Sequence, residues 1–94
     1  MATFVTLYKF TGAIKGGGPE RFKKFNGLVE AEGGKILHFY GLMGDKDVIT
    51  ICDYPSVRAA MKAAASIGNL ISARTQTYPA LEQDEFLQLL SELG

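Results

Sequence analysis

His38 is the one histidine of the chain, and an imidazole is the side chain that changes charge near neutral pH. It stands two residues before Tyr40, within a run of β-forming residues. Strand alternation puts His38 and Tyr40 on the same face, where a hairpin partner brings Thr50 or Cys52 alongside. The same parity, carried to the first and last strands, adds Tyr8 and Arg74. A guanidinium can hold a carboxylate or phosphate bidentately, and the imidazole can act as general base or hydrogen-bonding group. Tyr8, His38, Tyr40, Thr50 and Arg74 therefore form the candidate ligand-binding set, lining a small semi-apolar cleft on a sheet face. The competing reading makes His38 a satisfied polar residue at a subunit seam and Arg74 an ion-pair partner at its rim.

Other residues with chemical potential fall short of a site. Asp45 and Asp47 offer two carboxylates on a tight turn, too few for a cation cage and without a neighbouring histidine, so no metal is expected. Turn chemistry accounts for Asp45, and Asp47 at a strand mouth suits backbone capping. Cys52 has no sequence neighbour to activate it and reads as a small buried apolar group. Gly16-Gly17-Gly18 ahead of a helix has the backbone to seat an anion, but no lysine and serine or threonine follow, so a plain connection is the better reading. Lys23-Lys24 is too short a basic run for nucleic acid.

These groups must be held by elements, and the elements centre on residues 34–54. Two β-forming runs, 35–42 and 47–54, flank Met43-Gly44-Asp45-Lys46, which reads as a β-hairpin with positive φ expected at Gly44. Residues 3–10 and 70–78 supply two further strands, the last broken by Pro79. Residues 20–32 form a helix with Phe22, Phe25, Leu28 and Val29 on one face, stopped by Gly33-Gly34 with Gly33 left-handed. Ser56 caps a second helix over 57–67, whose stripe is Val57, Ala60, Met61, Ala64 and Ile67, with Gly68-Asn69 ending it. A last helix over 82–93 turns Phe86, Leu89, Leu90 and Leu93 inward, its acidic start suiting the helix dipole. The order βαββαβ gives an α+β, ferredoxin-like antiparallel sheet with both helices on one face plus a C-terminal helix.

Parity predicts that Val5, Leu7, Leu37, Phe39, Ile49, Ile51, Ile71 and Ala73 meet the helices. The opposite set includes Phe4, Thr6, Tyr8, Phe10, Ile36, His38, Tyr40, Val48, Thr50, Cys52, Ser72, Arg74 and Gln76. Left bare, its aromatic and aliphatic members make a larger apolar patch than a soluble monomer shows, so a second copy is expected to cover it.

Several short motifs resemble the GYD-domain family: the opening MATFVTLYKFT, Gly33-Gly34-Lys35, Phe39-Tyr40, Gly44 with Asp47-Val48, and Arg74-Thr75-Gln76-Thr77 before an acidic tail helix. The name-giving motif reads Gly44-Asp45-Lys46-Asp47 here, with Lys46 in place of its tyrosine, and the connection from Gly12 to Pro19 is unusually rich in glycine. The resemblance implies a dimeric α+β barrel of ferredoxin-like subunits and brings no assigned activity.

Composition sets the bounds. Ninety-four residues, 47% hydrophobic and 21% charged, fit one globular domain over residues 1–94. Ten basic and ten acidic side chains balance, so no field recruits nucleic acid or an anionic membrane, and no apolar run spans a bilayer. A single cysteine fits a reducing compartment, the cytoplasm. The expected function is a homodimeric small-molecule-binding or regulatory module that uses no cofactor. A cofactor-free enzyme, such as a monooxygenase or isomerase, and a purely structural dimerisation protein are the alternatives.

Overall fold

The computed structural model describes residues 1–12 and 18–94. Among these the elements run β1 (Ala2–Phe10), α1 (Gly18–Ala31), β2 (Lys35–Gly41), β3 (Val48–Tyr54), α2 (Val57–Ile71), β4 (Ala73–Ala80) and α3 (Gln83–Ser91). The strands form one antiparallel sheet in the order β2-β3-β1-β4. With α1 and α2 on one face, this is the ferredoxin-like βαββαβ arrangement, extended by α3. Gly16 and Gly17, part of the possible anion seat, lie outside the described residues; Gly18 opens α1.

Local chemistry explains the element ends. Gly33 takes φ +73, its N–H donates to the Glu30 carbonyl at 2.9 Å and the Gly34 N–H to the Val29 carbonyl at 3.0 Å. That pair of bonds is a Schellman stop, and it turns the chain straight into β2. Gly34 has a second reason to lack a side chain: a Cβ there would stand 2.5 Å from the Tyr54 ring. Ser56 caps α2, its hydroxyl accepting the Ala59 N–H at 3.1 Å.

On β1 and β3 the helix-facing set is the reverse of the one parity suggested, while Phe39 and Ala73 face the helices as expected. Phe4, Thr6, Tyr8, Val48, Thr50, Cys52 and Tyr54 are the buried strand residues, packed with Phe25, Val29, Ala60, Ala63 and Ile67. Val5, Leu7, Ile49 and Ile51, expected under the helices, occupy the open face instead and are only half-buried. Overall hydrophobicity favoured the wrong set because both faces are apolar, one aromatic and one aliphatic. On β2 the register shifts between Ile36 and His38, so Leu37 forms a bulge. The bulge leaves Ile36 and Phe39 on the helix side and sends His38 and Tyr40 to the open face.

Three further expectations are corrected. α2 does not stop at Gly68 but runs to Ile71, and Ser72 takes the left-handed position with φ 53. Gly68 serves proximity, since a Cβ there would lie 2.9 Å from the Ala73 carbonyl oxygen. The packed stripe of α2 is Ala59, Ala60, Ala63, Ala64, Ile67 and Gly68, while the bulkier Val57 and Met61 stay exposed. Small residues let the helix approach the sheet closely, and that close approach selects the face. Pro79 lies within β4, which is an edge strand where a missing N–H is tolerated. Finally, α3 packs against no other element among the described residues, and Phe86, Leu87, Leu89, Leu90 and Leu93 are all exposed rather than turned inward.

Candidate functional site

The five residues proposed from sequence do not line one cleft. Tyr8 and Thr50 sit in the core between sheet and helices, at 1% exposure each. Burial pushes the Tyr8 phenol up to about 12, partly offset by the nearby Thr50 hydroxyl, so it is a neutral packing group. His38 and Tyr40 lie on the open face, their rings stacked with centroids 6.1 Å apart and planes 7° apart. Arg74 is also on that face, but on β4, opposite Lys9. Three strand spacings, about 14 Å, separate it from β2. Cys52 is buried beneath the helices, which raises its thiol pKa and removes it from reaction. Asp47 is committed to structure: its carboxylate accepts the Phe10 N–H at 2.7 Å, its own N–H donates to the Tyr8 carbonyl, and its carbonyl accepts from Leu42. Among the described residues Asp45 pairs only with neighbouring Lys46, at 3.5 Å.

A better-formed site lies on the helix side. A cavity of about 540 Å³ opens between the start of α1, the end of α2 and the adjoining ends of the strands. Phe10, Phe22, Phe25 and Phe39 form its walls, four of the six phenylalanines in the chain. Phe39 meets Phe22 and Phe25 edge-to-face, at 5.2 and 5.4 Å between centroids, and Phe25 leans on Tyr8 at 5.5 Å. Edge-to-face pairs fix ring orientation beyond what burial alone provides. Val48, Leu70 and Ile71 complete the apolar lining.

Polar groups also line this cavity. Thr11 is tied to the end of α2, its backbone N–H and hydroxyl both donating to the Ser72 carbonyl at 2.9 Å. The one ionisable lining residue described is Arg21, half-buried and without an ion-pair partner among the described residues. The arrangement can hold an apolar body and one polar or anionic head. Sequence reasoning assigned Phe22, Phe25 and Phe39 to the core and passed over the cavity. The available signal was Phe22 and Phe25 one turn apart, with Arg21 beside them and no large residue between Gly16 and Gly18. A second, smaller apolar groove of about 410 Å³ runs between α2 and β4, past Val57, Met61 and Pro79.

The comparisons with known proteins agree with this architecture. A family model described as the GYD domain matches residues 4–90. The chain belongs to the GYD domain family. A search of curated proteins returns no match for this GYD chain. Among solved structures it is similar to the leucine response regulatory protein of Mycobacterium tuberculosis, with a TM-score of 0.61 and 12% identity. It is likewise similar to an AsnC family transcriptional regulator from Agrobacterium tumefaciens, with a TM-score of 0.56 and 20% identity. In each case 87% of the GYD chain is covered but only 51% of the other, so it spans about half the length of these regulators. At such identities the likeness shows the fold alone, the four-stranded antiparallel sheet with its helices. No helix of the described residues is long and apolar enough to cross a membrane.

Proposed function

We propose that this GYD protein is a homodimeric small-molecule-binding module with a regulatory role, cytoplasmic and independent of any cofactor. The observation that carries this reading is the phenylalanine-walled cavity of about 540 Å³, within the size range of small-molecule sites. Its described lining offers no imidazole, thiol or carboxylate to move a proton, which favours binding over catalysis. The ligand site thus moves from the open face to the helix side.

The open face takes the other role, that of the subunit interface. Val5, Leu7, Ile49 and Ile51 form two adjacent cross-strand pairs at its centre, flanked by Tyr40 and Tyr78, which are 54% and 47% exposed. A second copy packed sheet to sheet covers them, with His38 at the seam and Arg74 at the rim. The regulators of similar fold named above lend the regulatory part of the reading.

The test combines light scattering with amide NMR during titration with indole, a neutral aromatic probe. A dimer at micromolar concentration, with saturable shifts at Phe22, Phe25 and Phe39, is the expected result. A monomer removes the dimeric part, and the lack of any saturable shift at the cavity removes the binding part.

A further inference from the structure

We infer that the phenylalanine cavity is selective for a small carboxylate with an aromatic or branched apolar body, the carboxylate being held by Arg21. This rests on the reading of the cavity as a binding site and adds the chemical class of its ligand.

The body follows from the walls. Phe22, Phe25 and Phe39 present ring faces and edges in fixed relative orientation, and Phe10, Val48, Leu70 and Ile71 complete the apolar part of the described lining. A sugar or a nucleotide would leave most of its hydroxyl groups unpaired against such walls, at a cost for each. A flat ring or branched chain loses nothing there and gains contact with the phenylalanine edges.

The head follows from the charge. Arg21 is half-buried at the cavity with no acidic partner among the described residues, so its guanidinium lacks the counter-charge that partly dehydrated cations require. α1 begins at the same margin, Gly18 being both its first residue and part of the lining. The helix start therefore adds positive potential to that of Arg21. Glu20, the acid of that first turn, is exposed and does not line the cavity. One guanidinium matches one carboxylate through two parallel hydrogen bonds. A phosphate, with its greater charge, calls for more cations, yet Lys23 and Lys24 are exposed and outside the lining. An amino acid would also need an acceptor for its ammonium group, and the Ser72 carbonyl at the margin already accepts two hydrogen bonds.

The experiment compares trans-cinnamate with its neutral isostere trans-cinnamamide and the cation cinnamylamine, by calorimetry on the whole chain with amide NMR to locate the site. Cinnamate should bind at least about tenfold more tightly than the amide, as expected for a charge-assisted bidentate contact. Arg21→Gln should bring cinnamate down to the level of the amide, with the amide unchanged. Lys24→Gln, a change on the same helix outside the cavity, should keep the preference. Equal affinity of acid and amide in the wild-type protein overturns the carboxylate assignment, while binding by the amide preserves the cavity as a site. A preference that survives Arg21→Gln, or that disappears in Lys24→Gln, overturns the role of Arg21. If none of the three compounds shifts the cavity resonances, the binding reading itself fails together with this inference. The comparison of ligands on the wild-type chain stands even if a variant folds poorly.

Discussion

The two faces of the sheet are both apolar, and they are apolar in different ways. The helix side carries Phe4, Tyr8, Cys52 and Tyr54 with two buried threonines, Thr6 and Thr50. Thr6 shares a hydrogen bond of 3.0 Å with Thr77, and Phe4 meets Tyr54 edge-to-face at 6.0 Å. The open side carries Val5, Leu7, Ile49 and Ile51, with no polar side chain among the four. A helix layer built of alanines lies close to the sheet at α2, and wide aromatic side chains fill the space left near α1. The more hydrophobic-looking face is thus the one the helices leave open, while the mixed one becomes the core.

The largest effect should separate the two faces outright. Phe4→Asp places an unpaired carboxylate at a position 3% exposed, costing about 3–5 kcal/mol, enough to remove the cooperative thermal transition. A folded Phe4→Asp protein would mean that the closed face is more open than its packing indicates. Ile51→Asp, at the cross-strand partner of the neighbouring Val5, should instead preserve the circular dichroism spectrum and weaken the proposed dimer by about a hundredfold, as for a central interface residue. An unchanged sedimentation profile for that variant would take the interface away from the open face.

A smaller effect distinguishes the faces by pH. Burial raises the pKa of Tyr8, Cys52 and Tyr54, all on the helix side, with Tyr8 reaching about 12. In the unfolded chain the thiol and phenols ionise near their ordinary values of 9.0 and 10.0, so that chain binds fewer protons at alkaline pH. This stability is complete below about pH 9 and is lost as pH rises through the folded values. Denaturant midpoints measured from pH 7 to 11 should fall, and Tyr8→Phe should make the fall shallower. A midpoint that rises with pH would contradict burial of these groups.

The smallest effect belongs to neither face. Gly44 takes φ +157 with open space around its Cα, so Gly44→Val should cost about 1 kcal/mol through the backbone alone. Dimerisation and cavity binding should be untouched; a change in either would link the hairpin turn to one of the faces.

What the sequence disclosed follows the range of the interactions involved. The Gly33 stop, the Ser56 cap and the hairpin about Gly44 are local, each decided by residues within a few positions of one another. Which side of the sheet meets the helices is decided by packing between distant elements, and hydrophobicity alone pointed the wrong way at Val5 and Ile51. The bulge at Leu37 inverts the parity of β2 without a glycine or proline to announce it. Gly68 looks like a terminator in isolation because its purpose, closeness to Ala73, involves the next strand. The candidate site was split for the same reason, with Tyr8 and Thr50 assigned to a face that also holds His38, Tyr40 and Arg74. The cavity escaped notice because its phenylalanines carry the same sequence signature as a filled core.

The solitary α3 bears on how tightly two copies can associate. Nine residues fall below the length at which a helix holds together by itself in water, about 12–15 residues even for favourable sequences. Phe86, Leu87, Leu89, Leu90 and Leu93 are uncovered, and no other element among the described residues supplies the order of α3. On the proposed dimeric reading, assembly carries a folding step inside it. Part of the gross contact energy would go into ordering this segment, so the affinity of that dimer should be lower than its buried surface suggests. Helix content should then depend on protein concentration, falling on dilution as the last turns of the chain melt while the sheet stays intact.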